Sequence, residues 1–398
     1  MLKAFLRTVS IAACIAFASH VNAQTQTTLD NTQPWSIRMI ESEMVRFPEA
    51  WQIDWDETPQ WDYVHGLNLL AFTEVYKKTK DERLLSYVKG YYDMLVNDDG
   101  SIKTYDMNKY NIDMVNPGKV LFFLYEETGN NKYKKAADLL RSQLNTHPRT
   151  SQGGFWHKKR YPEQMWLDGL YMGAPFYAEY IVKYGDMSEL DDVFLQFELI
   201  EEHLYDNNTG LPRHGWDASK AQKWADKDTG LSKHHWSRSL GWYAMAMVDV
   251  LEIVPSEHPK TQWLTERFHK FIDAALAYQH TSGTWYQVTE LGNKEGNYLE
   301  ASGTAMLTYA IAKGVSLKLL PQQYHQDAEK SFAGMLDQMI SVDAETNVIT
   351  LEKVCRVAGL GGKPYRDGSF EYYISEPIRP NDAKGVGPFI LAAHYLNK

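Results

Sequence analysis

The chain has 398 residues and a formal net charge of −10, which argues against a nucleic-acid partner. Its two cysteines, Cys14 and Cys355, are too few for a disulfide framework, so the fold must depend on an apolar core. The 12 Trp and 25 Tyr exceed what a helical core requires; they fit a carbohydrate-binding cleft, although core packing is the default for each one.

Residues 1–23 have the pattern of a secretory signal peptide. Lys3 and Arg7 form the charged start, residues 9–18 form an apolar run, and Val21-Asn22-Ala23 is a small-residue cleavage site. The apolar run is too short to span a bilayer, and no later segment resembles a membrane helix. The sequence therefore predicts export, with a periplasmic location favoured.

A lipid anchor at Cys14 is the less favoured alternative, since Ile11-Ala12-Ala13 only weakly resembles a lipoprotein signal. Cleavage after Ala23 leaves 39 Lys and Arg against 51 Asp and Glu, a net charge of −12. A negatively charged substrate would then need a local cationic pocket. No linker or charge block divides residues 24–398, so we predict one domain there.

Along the chain, two kinds of helical segment alternate. One kind carries a single apolar stripe at spacings of three and four, which is typical of a helix with one wet side. The other kind is apolar nearly all round, which is typical of a buried helix. Striped segments include 84–95, 133–144, 264–275 and 328–339, and buried segments include 120–125, 167–182, 240–254 and 301–315.

Counting gives six helices of each kind, and the alternation predicts an all-α fold, an (α/α)6 barrel with six inner and six outer helices. The outer helices are predicted to begin near Ser36, Glu82, Lys132, Leu190, Lys260 and Pro321. The inner helices are predicted to begin near Asp62, Asn116, Asp168, Trp236, Glu300 and Lys384. Long loops at 98–112, 146–166, 205–235, 280–298 and 341–382 then share one face, where functional residues are expected.

Two aspartates stand out at that face as candidate catalytic groups. Asp113 is not needed as a helix cap, because Asn116-Pro117 already offers a cap followed by proline at the first helical position. Asp168 lies in the apolar segment 165–170, and such surroundings raise the pKa of a carboxyl toward that of a general acid. For each aspartate a plain capping role stays open as the alternative.

Other side chains at this face are candidates for substrate binding. His214 could orient a substrate or a water, and Arg238 could bind a carboxylate through two hydrogen bonds. A solvated loop histidine and a structural salt bridge are their respective alternatives. Trp166, Trp236 and Trp242 could stack on a sugar ring, or they could simply fill the core.

No metal site or cofactor is predicted. His234-His235 lacks a third ligand at a diagnostic spacing, and the HExxH pattern is absent. The oligomeric state is left open by the sequence.

Five segments taken together resemble glycoside hydrolase family 105, the unsaturated rhamnogalacturonyl hydrolases, and the resemblance covers most of the mature chain. The segments are YNIDMVNPGK at 110–119, QMWLDGLYMG at 164–173, WSRSLGWY at 236–243, YLEASGTA at 298–305 and NDAKGVG at 381–387. The (α/α)6 fold of that family agrees with the helix count.

The resemblance implies an enzyme that removes a 4,5-unsaturated uronic acid from the non-reducing end of oligosaccharides made by lyases. By position in the motifs, Asp168 corresponds to the principal acid/base and Asp113 to its partner carboxylate. His214 corresponds to a histidine that orients substrate or water. Arg238, the tryptophans at 166, 236 and 242, and His157 match positions around the unsaturated sugar.

Three alternatives remain open at this point. Family 88, the unsaturated glucuronyl hydrolases, shares the fold and the chemistry but acts on fragments of glycosaminoglycans or of other uronic-acid polymers. A polysaccharide lyase with a helical toroid would favour a Tyr/His base over paired aspartates. A non-catalytic glycan-binding protein of the cell surface is the alternative from a different class. Within family 105 itself, the substrate could come from rhamnogalacturonan or from sulfated ulvan.

Overall fold

The computed structural model describes residues 28–398. The predicted signal peptide and Cys14 lie outside these residues, so export and the choice of anchor stay predictions, as does the single domain over 24–398. Within residues 28–398, the helices are all too short or too polar to cross a membrane.

Twelve helices of the described chain alternate between an outer and an inner layer. The outer helices are α1 (Trp35–Arg46), α3 (Glu82–Leu95), α5 (Asn131–Thr146), α7 (Leu190–His203), α9 (Thr261–Ala277) and α11 (Tyr324–Gln338). The inner helices are α2 (Tyr63–Thr79), α4 (Gly118–Thr128), α6 (Leu167–Tyr184), α8 (Ser237–Ile253), α10 (Ala301–Ser316) and α13 (Ala383–Tyr395). A six-residue helix, α12 (Phe370–Ser375), lies in the last long loop.

The inner helices form a closed ring. Each packs against the next along the chain, and α13 packs against α2, which joins the ends. The outer helix α1 packs against α13, so the first and last helices pair as the sequence predicts. The predicted (α/α)6 barrel is confirmed, and all twelve helices begin within three residues of their predicted positions.

Burial explains the two layers. In α10, every residue from Ala301 to Val315 is buried, whereas α11 buries one stripe of side chains and exposes the rest. A Cβ on Gly303 would lie 2.6 Å from the backbone carbon of Ser237, so α8 and α10 approach closely only because that position is glycine. Each large side chain buried in this ring contributes roughly 1.5–3 kcal/mol of apolar burial.

Three short antiparallel strand pairs lie in the long loops. They are β1 (Gln164–Trp166) with β4 (Gly215–Asp217), β2 (Tyr205–Asp206) with β3 (Leu211–Pro212), and β5 (Ile340–Val342) with β6 (Ile349–Leu351). The first pair matters most, because it holds two long loops together in front of α6.

The start of α4 differs from the prediction. Asn116 does not cap this helix: it ends a 3₁₀ turn over Ile112–Val115, and its side-chain amide donates a 3.0 Å hydrogen bond to the carbonyl of Tyr63. Pro117 precedes α4 and offers no side-chain cap. The amide of Asn116 therefore ties the turn that carries Asp113 to the start of α2.

Candidate active site

A cavity of about 200 Å³ opens at the end of the ring where the inner helices begin. Seven of the eight predicted site residues line it: Asp113, His157, Trp166, Asp168, Trp236, Arg238 and Trp242. The structure thus brings both candidate carboxylates into one cavity, although they come from separate loops. His214 is the exception and lies behind the wall.

The β1–β4 pair positions Asp168 beside His214. Trp166 pairs with Gly215, and the amide of Leu167 donates a 3.1 Å hydrogen bond to the carbonyl of His214. A Cβ on Gly215 would lie 2.9 Å from the indole of Trp166, so this close pairing requires glycine. Asp168 follows in the first turn of α6, and its carboxyl does not cap the helix.

The carboxyl of Asp168 has a histidine as its neighbour. Nε2 of His214 lies 3.2 Å from Oδ2 of Asp168, close enough for a hydrogen bond but not well aligned for one. The Asp168 side chain keeps 14% of its surface exposed and faces the cavity, whereas that of His214 is fully buried. The pair therefore presents a carboxylate to the cavity and a ring behind it.

The prediction that the pKa of Asp168 is raised is wrong. Burial does raise the pKa of this carboxyl, but the electrostatic effect of the nearby His214 ring, with a smaller one from His157, more than offsets it. The net effect is a pKa below the usual value. The apolar neighbours in the sequence pointed to burial alone, whereas the structure adds two basic rings.

His214 also makes no direct contact with the cavity, contrary to its predicted role in substrate binding. Its Nδ1 shares a 2.7 Å hydrogen bond with the hydroxyl of Tyr373, in α12. Its ring packs against the indoles of Trp166 and Trp236. Asp168 therefore lies between this ring and the cavity.

Asp113 has a different partner, which the sequence did not indicate. Nζ of Lys158 lies 2.5 Å from Oδ2 of Asp113, and Nε2 of His157 lies 3.5 Å from Oδ1. Oδ1 itself is buried and accepts no hydrogen bond from the described residues. Each of the two aspartates therefore has its own basic partner, Lys158 for Asp113 and His214 for Asp168.

Both carboxylates, Asp113 and Asp168, affect the pKa of His157. Burial is the main effect on this ring and lowers its pKa to about 4, although Asp113 and Asp168 both act in the opposite direction. The imidazole is therefore neutral at physiological pH. It stacks on Trp166, with ring centroids 4.4 Å apart.

The three tryptophans line the cavity, yet they are largely covered. Trp166 is 5% exposed, and Trp236 and Trp242 are each 1% exposed. Trp242 stacks on Tyr171 beneath it, and the indole of Trp236 donates a 3.0 Å hydrogen bond to Gln287. They shape the wall, and none offers the open ring face that stacking on a sugar requires.

Arg238 is mainly structural, which favours the alternative that the sequence left open. Its Nε donates a 2.6 Å hydrogen bond to the hydroxyl of Ser302, and Nη2 donates to the carbonyl of Cys355. Nη2 also lies 3.6 Å from the carboxylate of Glu300. These contacts use part of the guanidinium, and another edge of it still lines the cavity, so binding of a substrate carboxylate through two hydrogen bonds stays a prediction.

The sequence did not point to several of the basic side chains that line the cavity. Its lining carries five basic side chains against two carboxylates: Lys158, Arg160, Arg238, Arg366 and Lys384 against Asp113 and Asp168. The formal charge of +3 contrasts with the −10 of the whole chain. Arg160 and Arg366 form no ion pair with the described carboxylates. Only their loop positions could have pointed to them.

A second cavity of about 220 Å³ adjoins the first and shares three lining residues with it, Tyr63, Val357 and Lys384. The two cavities therefore form one continuous cleft. Arg356, at the second cavity, is exposed, and its guanidinium pairs with none of the described carboxylates.

The chain is similar to known glycoside hydrolases. The profile of Glycosyl Hydrolase Family 88 matches residues 35–397. A family 105 glycoside hydrolase of C. acetobutylicum has a solved structure that is 43% identical, with a TM-score of 0.88 over 92% of this chain and 99% of that one. The unsaturated rhamnogalacturonyl hydrolase YesR of Bacillus subtilis is 28% identical over 287 residues, 70% of this chain and 76% of YesR.

More distant relatives share the fold. An unsaturated glucuronyl hydrolase from Streptococcus agalactiae is 12% identical, with a TM-score of 0.64 over 91% of this chain and 92% of that one. These similarities identify a glycoside hydrolase, so the non-catalytic alternative does not hold. Because the family 88 profile spans nearly all of the described residues and a family 105 enzyme is 43% identical over 92% of the chain, the protein belongs to the glycosyl hydrolases of families 88 and 105.

Proposed function

We propose that the enzyme removes a 4,5-unsaturated uronic acid from the non-reducing end of rhamnogalacturonan- or ulvan-type oligosaccharides made by lyases. The cavity that holds Asp113 and Asp168 is the observation that carries this proposal. Its formal charge of +3, in a chain of net charge −10, suits a sugar that bears a carboxylate. The names of two relatives support the same class, the rhamnogalacturonyl hydrolase YesR and the unsaturated 3S-rhamnoglycuronyl hydrolase of Alteromonas.

The reaction acts on the vinyl ether of the unsaturated ring. An acid protonates C4, positive charge develops at C5 and the ring oxygen, and water adds at C5. The resulting hemiketal opens, and the glycosidic bond then breaks. The separation of carboxylates that distinguishes retaining from inverting glycosidases does not apply, because nothing is displaced at the anomeric carbon.

Asp168 is the group that moves the proton. Its carboxyl is ionised in the free enzyme, because neighbouring histidines lower its pKa. An entering uronate brings a second negative charge, which raises the pKa of a nearby carboxyl. The same substrate that needs the proton thus promotes its uptake by Asp168. After the transfer to C4, the carboxylate can accept a proton from the attacking water.

Asp113 plays a binding and electrostatic part. Lys158 holds its carboxylate in place, and its free Oδ1 can accept a hydrogen bond from a sugar hydroxyl. A fixed carboxylate near the ring also stabilises the charge that develops at C5. The adjoining cavity, reached past Tyr63, provides room for the rest of the oligosaccharide.

A panel of unsaturated oligosaccharides tests the proposal. Lyase products of rhamnogalacturonan, ulvan and chondroitin would each be mixed with the enzyme, and loss of the ultraviolet absorbance of the C4=C5 bond would be followed. We expect turnover of rhamnogalacturonan or ulvan products and at most weak turnover of chondroitin products. Preferred turnover of chondroitin products would favour glucuronyl hydrolysis instead, and no absorbance loss with any product would contradict the proposal.

Tyr373→Phe tests whether His214 acts through Asp168. The change removes the 2.7 Å hydrogen bond to Nδ1 of His214 while leaving the cavity lining intact. Because a buried polar atom left without its hydrogen-bond partner costs about 1–3 kcal/mol, we expect kcat to fall about tenfold. The pH profile should shift, with KM changed less than about twofold.

The control is Tyr372→Phe in the same helix, whose hydroxyl accepts a hydrogen bond from the amide of Gly359 and does not reach His214. This variant should keep the wild-type pH profile. An unchanged profile in Tyr373→Phe as well would remove Tyr373 and His214 from the mechanism.

A further inference from the structure

A further cavity lies at the opposite end of the ring from the active site. This far-end cavity has a volume of about 240 Å³ and is formed by α2, α4, α6, α8 and α10. Its polar lining includes Lys119, Glu126, Glu179, Asp249, Glu252 and Lys313. The proposed hydrolysis uses none of these side chains.

Lys119 is the unusual member of this lining. It is 6% exposed, and its buried Nζ has no hydrogen-bond partner among the described residues. The ammonium lies 3.7 Å from the ring centroid of Tyr171, whose own buried hydroxyl also has no partner there. An ammonium taken out of water without a carboxylate is costly, and structures rarely keep one without a use for it.

The other charges of the cavity are already satisfied. Nζ of Lys313 lies 2.7 Å from Asp249 and 2.7 Å from Glu252, and Lys77 lies 2.7 Å from Glu74. A donor with free capacity, Lys119, therefore faces walls whose carboxylate oxygens can each accept further hydrogen bonds. A ligand that suits this lining accepts a hydrogen bond from Lys119 and donates hydrogen bonds to several carboxylate oxygens.

We propose that the far-end cavity is a second binding site, which takes one small neutral polyhydroxylated ligand such as a monosaccharide. A sugar hydroxyl accepts a hydrogen bond from Lys119 and donates to Asp249 or Glu179. An anionic sugar is disfavoured, because the lining holds five carboxylates and three lysines. A metal ion is disfavoured too, since the described residues contain no cluster of ligating side chains suited to one.

Size and position agree with this choice. Drug-sized ligands occupy pockets of roughly 300–1,000 Å³, so a cavity of about 240 Å³ suits one sugar ring. The aromatic rings of Phe123 and Tyr309 provide apolar surface in the lining. Tyr171, which contacts Lys119, stacks on Trp242 of the active-site cavity with centroids 4.8 Å apart, so these two side chains separate the sites.

Calorimetric titration with L-rhamnose, a neutral sugar, tests the proposal, with D-glucuronate as the anionic comparison. The variants are Lys119→Met in the far-end cavity and Asp168→Asn in the active site. We expect saturable rhamnose binding that weakens at least about tenfold in Lys119→Met, because the buried donor that the sugar hydroxyl would use is removed. Asp168→Asn should bind rhamnose within about twofold of the wild type, and glucuronate should not bind at the far end.

Several outcomes would overturn the proposal. They are no rhamnose binding by the wild type, binding that Lys119→Met leaves unchanged, and binding that only Asp168→Asn weakens. Binding of glucuronate that depends on Lys119, without binding of rhamnose, would overturn the ligand class. Glu179→Gln provides a second variant at the same cavity and should also weaken rhamnose binding. None of these readouts requires turnover, so they stand apart from the test of hydrolysis.

Stability provides a separate check on the state of Lys119. Burial lowers the pKa of this amine from 10.5 to about 7, so between these values the unfolded chain holds a proton that the folded chain has released. The stability of the wild type should therefore rise with pH across that window. The rise should be smaller in Lys119→Met, as measured by urea unfolding at pH 7 and pH 9.5; an equal rise in both proteins would mean that Lys119 stays protonated in the folded chain.

Discussion

Replacement of Asp168 by asparagine is expected to lower kcat about a thousandfold without unfolding the enzyme. Acid–base groups in enzymes typically contribute between about 10²-fold and 10⁴-fold, and an asparagine can neither take up nor deliver the proton that C4 requires. The amide has nearly the same shape as the carboxyl, so the cavity is preserved. The measurement is the absorbance loss of an unsaturated oligosaccharide at saturating concentration.

The fold should survive because Asp168 is not a cap and keeps 14% of its surface exposed. Its partner His214 would lose a charged neighbour, so the pH profile of any residual activity should change. The control is Glu202→Gln, which changes an exposed carboxylate on α7. The activity of this variant should match that of the wild type. If Asp168→Asn turned over substrate at the wild-type rate, the proton would have to come from another group, and Asp113 would be the next candidate.

The ring of helices was predictable because its periodicity is local. A helix apolar on all sides, such as α10, and a helix with one apolar stripe, such as α11, are distinguishable within a single segment of sequence. Strict alternation of the two kinds then leaves few ways to bury the apolar faces. The strand pairs were less predictable, since β1 and β4 have three residues each and pair across distant loops.

The pairing of β1 with β4 explains why the predicted direction of the Asp168 pKa shift was wrong. The pKa of Asp168 depends on His214, and the two meet only because Trp166 pairs with Gly215. Reading the apolar neighbours of Asp168 alone gave the wrong direction for the shift. In the same way, the loop before β1 brings the ammonium of Lys158 next to Asp113, and no spacing in the sequence predicts this contact.

Arg238→Met is expected to reduce the free energy of unfolding by about 3–5 kcal/mol, the usual cost of breaking a buried ion pair by removing one partner. The guanidinium is 1% exposed and supplies hydrogen bonds to Ser302 and to the carbonyl of Cys355. Without it, the fully buried carboxylate of Glu300 loses its basic neighbour. Urea denaturation followed by circular dichroism measures the change.

The matched control is Arg267→Met on α9, where the guanidinium lies 3.8 Å from Glu201 and keeps 35% of its surface exposed. This pair is less buried than that of Arg238 and Glu300, so the variant should lose less stability than Arg238→Met does. If Arg238 acted only in substrate binding, Arg238→Met would raise KM and leave the free energy of unfolding unchanged.

The double variant Arg238→Met with Glu300→Gln decides how much of the loss is electrostatic. If the cost of Arg238→Met comes from an uncompensated buried carboxylate, replacing that carboxylate with a neutral amide should restore part of the stability, and the two changes will not be additive. Glu300 accepts hydrogen bonds from the amides of Ser302 and Gly303 at the start of α10, and an amide oxygen can still accept one of them. Strict additivity would mean instead that Arg238 stabilises the enzyme through its hydrogen bonds to Ser302 and Cys355, because those are lost whether or not Glu300 is charged.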